Sequence, residues 1–190
     1  MLANCRRWRA HAPEYVHTPP VDETTHIEID GRRWRRSDPA IPEPLRVELV
    51  KELMAARRAV AAGKRLDDDA AIATARARVQ DARVALGERG PTWWEERTPD
   101  DYRVRIDAAI HALLRARADT STICPSDAAR IAASPDWRPH MQLARDVAAD
   151  LHEAGDVEIR QRGTAVTDPR ATSGPIRLAL TGRRVRTRRD

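Results

Sequence analysis

The stretch 122-TICPSDAARIAASPDWRPHMQLARDVAADLHEAGDVEIRQRG-163 carries two helix signals and then a strand signal, and this order decides the fold. Pro125 suits the first turn of a short helix, because the N–H that proline lacks would have no partner there. That helix is predicted to end near Ser134. Apolar residues then recur with the helical period over about residues 136–154, which predicts a further helix with Pro139 in its first turn.

The chain changes from helical to strand periodicity after Gly155. A turn is expected at Arg162-Gly163, and a last strand is expected to follow Gly174-Pro175. The alternating apolar residues are Val157, Ile159, Val166, Ile176, Leu178 and Leu180.

Another helix is predicted upstream of the quoted stretch, from Thr98 to about Arg117. Thr98 suits the N-cap, Pro99 suits the first helical position, and two aspartates bring negative charge to the positive end of the helix dipole. Its buried stripe is expected to contain Tyr102, Ile106, Ala109, Ile110 and Leu113. Helix, short helix, helix and hairpin, in this order, predict a winged helix-turn-helix domain.

The N-terminal part of the chain is predicted to begin with a β-hairpin. Asp30-Gly31 is a two-residue turn signal, since glycine accepts the positive φ that such a turn demands. The expected register sets Ile29 opposite Arg32, Glu28 opposite Arg33 and Ile27 opposite Trp34.

Two helices are predicted to follow and to pack as an antiparallel pair. The first runs from about Leu45, with Pro44 in its first turn, to a stop at Gly63. The second begins after Asp67-Asp68-Asp69, whose charges suit a helix N-terminus, and ends at Gly87. Small residues in the seam allow close packing and make this helical hairpin a candidate for homodimerisation or for docking a protein partner.

The predicted fold is therefore mainly α: an N-terminal β-hairpin and antiparallel helical hairpin, followed by a C-terminal winged helix-turn-helix domain. Residues 1–24 are predicted to be a disordered extension, 25–96 the two hairpins with a Trp-rich linker, 97–181 the winged-helix domain and 182–190 a basic tail. The indoles of Trp93 and Trp94 in the linker are expected to pack on the protein, because the chain has no Phe; stacking on bases is the alternative.

Composition argues against several classes of function. Cys5 and Cys124 form neither a disulfide framework nor a zinc motif, which fits a reducing, cytoplasmic compartment. No apolar run suits a membrane span or a signal peptide, so we expect no membrane association. The six histidines lack metal-ligand spacing, and no nucleotide-binding or nucleophile motif occurs. We accordingly expect no metal, no cofactor and no enzymatic activity.

Positive charge is concentrated towards the C-terminus. The formal net charge is +5, yet residues 91–154 carry eight Arg against eleven acidic residues, whereas residues 155–190 carry nine Arg against four. Arginines in the wing and tail are therefore the better candidates for phosphate contacts. They are Arg160, Arg162, Arg183, Arg184 and Arg186.

The last helix of the predicted domain supplies candidate base contacts at its N-terminal end, namely Arg138, Gln142 and Arg145. The acidic residues that follow on the outward face are Asp146, Asp150 and Glu153. Because these acids would repel phosphate if the helix lay flat in a groove, we expect an end-on approach to duplex DNA.

Several motifs carry a resemblance to a known family. The segments 122-TICPSDAAR-130, 136-DWR-138 and 174-GPIRL-178 resemble the bacterial domain-of-unknown-function family 3253, which is placed among helix-turn-helix-like folds. The stretch from Ile27 to Glu95, with its motifs DGRRWR, DPAIPEPLR, ELMAARRAV, ALGERG and WWE, is similar to the N-terminal part of actinobacterial members. The resemblance covers about residues 25–180. It implies a fold and carries over no catalytic or binding residue, and the label "biopolymer transporter Tol" of some members finds no transmembrane or signal segment here.

The function expected from these observations is that of a non-enzymatic winged-helix protein that binds duplex DNA or takes part in transcription. The alternative is an adaptor that uses the winged helix and the helical hairpin to bind protein without nucleic acid.

Overall fold

The computed structural model describes residues 24–117 and 121–181, and within them the chain is mainly helical. The N-terminal elements are strands β1 (His26–Ile29) and β2 (Arg32–Arg35) and helices α1 (Glu43–Arg65) and α2 (Asp69–Ala85). The C-terminal elements are helices α3 (Pro99–Ala116), α4 (Pro125–Ala133) and α5 (Met141–Glu153), a 3-10 turn (Arg138–His140), and strands β3 (Val157–Gln161), β4 (Thr164–Ala165) and β5 (Arg177–Leu180).

Strands β1 and β2 form an antiparallel hairpin in the register predicted from Asp30-Gly31. Asp30 and Gly31 both have positive φ, 51° and 70°, as the two central residues of a tight hairpin turn require. Alternation along the strands places Ile27, Ile29 and Trp34 on one face of the hairpin. The opposite face meets the tryptophan linker.

Helices α1 and α2 pack as the predicted antiparallel pair, but Gly63 does not end α1. The helix continues through this glycine to Arg65, and Gly63 is buried. A Cβ at Gly63 would lie 2.9 Å from Cγ1 of Ile72, so the glycine lets the start of α2 approach α1 closely. Its role is therefore packing rather than termination. Asp68 caps α2, its side chain accepting a hydrogen bond from the Ala71 N–H.

Helix α3 lies at the centre of the molecule. It begins at the predicted cap, where the Thr98 and Asp101 side chains form a reciprocal capping box. It packs against both α1 and α2 on one side and against α4 and α5 on the other, so one continuous apolar core extends from Ile41 to Leu178. The apolar seam of α1 and α2 is covered by α3.

Helix α4 starts at Pro125, with Cys124 as its N-cap, and ends before Ser134 as predicted. The last helix begins later than expected. Residues 138–140 form a 3-10 turn and α5 starts only at Met141, because a proline disfavours the α conformation of the residue before it, here Arg138. None of the helices in residues 24–117 and 121–181 has the length and apolar content needed to cross a membrane.

The small C-terminal sheet has the strand order β4-β3-β5, and both pairings are antiparallel. The predicted turn at Arg162-Gly163 joins β3 to β4, with positive φ at both residues. Between α3 and α4, Ile123 exchanges two backbone hydrogen bonds of 2.9 Å with Leu178, which adds a one-residue bridge on the outer side of β5. The sheet thereby ties the start of α4 to β5, the last described strand.

Candidate nucleic-acid interface

A cluster of arginine and aromatic side chains lies at the N-terminal end of α5. The indole of Trp137 has the guanidinium of Arg130 at 4.6 Å from one ring centroid and that of Arg138 at 4.9 Å. Arg130 and Arg138 are exposed, and neither forms an ion pair within the described residues. Stacking on an aromatic ring holds a guanidinium flat while leaving its N–H donors at the edge for other acceptors.

A second stack adjoins this cluster. The rings of Tyr102 and His140 are 4.0 Å apart between centroids, and the guanidinium of Arg97 lies 4.6 Å from the Tyr102 centroid. Arg97 is fixed because it donates a hydrogen bond of 2.5 Å to the Ala132 carbonyl at the end of α4. Desolvation, and then the nearby positive charge of Arg97, hold the pKa of His140 below its ordinary value. The positive charge here therefore comes from the arginines.

Gln142 and Arg145, the other two candidates on this helix, differ in solvent exposure and in their hydrogen-bond partners. Gln142 is exposed in the first turn of α5, and its amide donates to Asp146 at 2.8 Å. Arg145 is half-buried, and its guanidinium donates to the backbone carbonyls of Gly174, at 2.9 Å, and of Thr172. It thus fixes the loop before β5.

That loop, residues 166–176, covers the C-terminal part of the outward face of α5. Arg170 donates hydrogen bonds to Asp150 at 2.5 Å and to Glu153 at 2.9 Å. A further arginine, Arg103 of α3, reaches the same Asp150 at 2.6 Å. Ala149, between these contacts and Arg145, is only 2% exposed. The hydrogen bond from Arg170 is the main reason that the pKa of Asp150 lies below its ordinary value.

These contacts change the electrostatics expected for the helix. The acids Asp150 and Glu153, predicted to repel phosphate, have arginine counter-charges, although both remain exposed and screened by solvent. What stays open on the outward side is the 3-10 turn and the first turn of α5, where Arg138 and Gln142 lie. This geometry is compatible with the end-on approach expected from the sequence.

Of the two arginines predicted to contact phosphate from the wing, one forms an ion pair and the other does not. Arg160 on β3 pairs with Glu158 two residues earlier on the same side of the strand, and the hydrogen bond that its Nε donates to that carboxylate raises the arginine's pKa. Arg162 lies in the turn between β3 and β4, is exposed and makes no ion pair within the described segments. Arg183, Arg184 and Arg186 lie outside the described residues.

Sequence reasoning missed Arg97 and Arg130. Arg130 precedes Trp137 by seven residues, and the intervening turn brings the two side chains together, so only the tertiary path of the chain reveals the stack. For Arg97 the usable signal is weak, because it sits in the linker before the Thr98 cap.

Other side chains considered from the sequence take structural positions. The Trp93 indole donates a 3.1 Å hydrogen bond to the Arg36 carbonyl, and Trp94 packs edge-on against Trp93 and His26 at 5.2 and 5.3 Å between ring centroids. Arg35 lies 5.1 Å from the Trp94 ring. The linker indoles therefore dock on the N-terminal hairpin rather than between the two predicted domains.

Groups of His, Cys, Asp and Glu that could hold a metal ion do not occur in the described part of the chain. Cys124 is half-buried, and its backbone N–H donates to the Asp127 carboxylate at 3.3 Å.

Comparison with protein families gives a match to the C-terminal part of the chain. A sequence model of the family described as "Protein of unknown function (DUF3253)" matches residues 103–181, which run from α3 to the end of β5. No curated protein matches the chain.

Proposed function

Because residues 103–181 belong to the DUF3253 family, whose description names no activity, we propose a function from the geometry: this part of the chain is a non-enzymatic winged-helix domain that binds duplex DNA. In this proposal α4 and α5 are the helix-turn-helix pair, and the segment from β3 to β5 is the wing. The N-terminal end of α5 approaches the major groove.

The order of the elements supports the winged-helix assignment. Helix α3 is followed by the Ile123 bridge, the helix pair, and the antiparallel strands, with β5 lying between Ile123 and β3. A short strand after the first helix that joins a C-terminal hairpin is the arrangement expected of a winged helix.

The observation that carries the proposal is the arginine pair stacked on Trp137. Arg130 of α4 and Arg138 of the 3-10 turn before α5 present two positive charges at the open end of α5. Rigid guanidinium groups lose little conformational entropy when they bind phosphate, and their planar donor edges match phosphate oxygens. Gln142, one turn further on, can reach a base edge from the same side.

The remaining candidates divide into contacts and supports. Arg162 in the wing turn and the tail residues Arg183, Arg184 and Arg186 serve as phosphate contacts in this proposal. Arg145 and Arg160 support the wing through their contacts with the 166–176 loop and with Glu158.

A second candidate function, a protein-binding adaptor without nucleic-acid contacts, is favoured by the loop over α5. Because residues 166–176 cover the outward face near Ala149, α5 cannot lie flat in a major groove unless the loop moves. An adaptor would need no such movement.

A titration of the full chain with random-sequence duplex DNA at several salt concentrations tests the proposal. Replacing Arg130 and Arg138 by Ala is expected to lower affinity and to reduce the salt slope by about two units, since each phosphate contact contributes about 0.9. The matched control replaces Arg58 and Arg76, exposed arginines of α1 and α2, and should leave the slope unchanged. Absence of binding at low salt would favour the adaptor, and an equal loss in both variants would mean that the Trp137 cluster has no special role.

A further inference from the structure

A groove of about 1080 Å³ lies between the N-terminal hairpin and α1. Its apolar wall is the hairpin face carrying Ile27, Ile29 and Trp34, which are 38%, 51% and 38% exposed. These residues contribute half of the exposed large apolar side chains of the described chain, and they lie together. A concentrated apolar face of this kind on a soluble domain indicates a contact surface.

The rest of the groove is strongly basic. Arg46, which pairs with Glu43, and Arg57 line it three turns apart on α1, about 16 Å along the helix axis, and Arg32 lines it on β2. Arg32 and Arg57 form no ion pair with any described residue. The guanidinium of Arg83 lies 5.4 Å from the Trp34 ring centroid and pairs with Glu88.

The acids of the lining do not neutralise this surface. Asp38 is buried and pairs with Arg105 behind the groove, and Glu88 is shared by Arg83 and Ser37. Only Asp30, at the hairpin turn, is an exposed acid of the lining without an ion pair in the described chain. The groove therefore suits an occupant that combines an apolar side chain with neighbouring negative charges.

The two ends of this chain lack the net negative charge that such an occupant needs, because residues 1–23 carry three arginines against three acids and residues 182–190 carry five arginines against one acid. The turn between α1 and α2 does have it. Leu66 is 78% exposed, more than any other large apolar side chain in the described segments, and three exposed aspartates follow it directly. We call Leu66–Asp69 the α1–α2 tip.

We propose that the α1–α2 tip of one copy docks in the groove of a second copy of this chain. Leu66 would cover the apolar wall formed by Ile27, Ile29 and Trp34. Asp67 and Asp69 would pair with Arg32 and Arg57, while Asp68 keeps its role as the α2 cap.

The basic residues that precede the tip fit the same arrangement. Lys64 and Arg65 are exposed next to Leu66, and Asp30 at the groove rim is the acid that they would meet in the second copy. Each copy carries both a tip and a groove, so a pair can close with two equivalent contacts. A single tip is small compared with a standard interface, so association is expected to be concentration-dependent.

This inference concerns the N-terminal part of the chain and is independent of the DNA-binding proposal, which rests on residues around Trp137. Sedimentation velocity of the full chain over a hundredfold concentration range in physiological salt provides the first test. The mass is expected to rise from 21.4 kDa towards twice that value as concentration increases. Higher salt should weaken the association because exposed ion pairs contribute to it.

Two variants separate the halves of the contact. The groove variant carries Arg32→Glu and Arg57→Glu, and the tip variant carries Asp67→Asn and Asp69→Arg. Asn is used because Asp67 has φ of 53°, which Asn tolerates. Each variant alone should stay monomeric at concentrations where the unaltered chain dimerises. Mixed together, they should form a heterodimer, because the groove variant retains its tip and the tip variant retains its groove.

A control variant with Lys51→Glu and Arg58→Glu changes exposed charges of α1 outside the groove lining and should associate as the unaltered chain does. Circular dichroism melts of all variants check that they are folded. A chain that is monomeric at every concentration overturns the inference, as does association that is unaffected by both paired variants. In the first case, a different protein or residues 1–23 of the same chain would be the groove's occupant.

Discussion

The buried ion pair between Arg105 and Asp38 is expected to contribute strongly to stability. Arg105 is 1% exposed, in the middle of α3, and its Nη1 lies 2.7 Å from Oδ2 of Asp38. Its Nε donates to the Ala85 carbonyl at 3.2 Å, whereas neither Nη1 nor Nη2 makes a hydrogen bond of good geometry within the described residues. Desolvation lowers the pKa of Arg105, against the opposing effect of Asp38. The aspartate is thus the charge that makes burial of the guanidinium tolerable.

Replacing Asp38 by Ala should therefore cost about 3–5 kcal/mol, the usual cost of removing one partner from a buried pair. In a chain of this size, 1 kcal/mol corresponds to a shift in Tm of about 2–4 °C, so we expect a fall of roughly 6–20 °C. Urea unfolding followed by circular dichroism measures the change in free energy directly. Asp38→Asn keeps an acceptor for the Ala40 N–H and isolates the contribution of the charge.

Two comparisons make this prediction decisive. Glu43→Ala removes an ion pair with Arg46 in which both side chains are largely exposed, and it should cost at most about 1 kcal/mol. Replacing Arg105 and Asp38 together by Met and Leu should recover most of the loss, because no charge is then left buried. If Asp38→Ala costs no more than Glu43→Ala, water must reach Arg105 and the reasoning is refuted.

Two further predictions concern His111 and Gly63. Burial, and then the charge of Arg115, lower the pKa of His111, so the unfolded chain binds a proton at a pH where the folded chain does not. The free energy of unfolding should therefore fall as the pH drops from about 7 to 5. His111→Gln should flatten that slope by up to about 1.4 kcal/mol per pH unit, measured by urea unfolding at fixed ionic strength. The acids that oppose this shift are Asp107, Asp81 and Asp156. A variant with an unchanged slope would contradict the assignment. Gly63→Ala should destabilise by about 1 kcal/mol, despite the better helix propensity of Ala, because its Cβ would meet Ile72, and a gain in stability would show that α2 moves away freely.

Local signals in the sequence predicted most of the elements. Asp30-Gly31 specified a turn that only one register satisfies, and the Thr98 cap specified the first residue of α3. Both depend on backbone chemistry within a few residues, which a sequence displays directly. The positions of α4 and of the turn at Arg162-Gly163 follow from the same kind of signal.

Long-range contacts were not predictable in this way. Gly63 indicated a helix end, but its role in the structure is to let Ile72 of α2 approach α1 closely. Arg105 lies beside the apolar stripe of α3 and looks like a surface residue until Asp38, far upstream, is placed beside it. In the same way, nothing local to Arg170 indicates that it reaches Asp150 and covers α5.

In the candidate interface, too, the sequence predicted what depends on local structure and missed what depends on long-range contacts. The sequence named Arg138 and Gln142, and both side chains are exposed at the N-terminal end of α5. It placed Arg145 and Arg160 among free cations, although each has an acceptor brought by the fold. The partner of Arg138 across the indole, Arg130, was missed because the turn between α4 and α5 determines their proximity.

The burial of α3 on two sides determines which fragments of the chain can be expressed alone. The family match starts at Arg103, one turn inside this helix and after its Thr98 cap. A fragment cut at that point would lack the cap and would expose to water the α3 surface that α1 and α2 cover. Half of the helix, nine of its eighteen residues, is buried in the intact chain. Residues 103–181 expressed alone are therefore expected to aggregate. A useful truncation has to retain α1 and α2 or replace them with another segment that buries the apolar surface of α3.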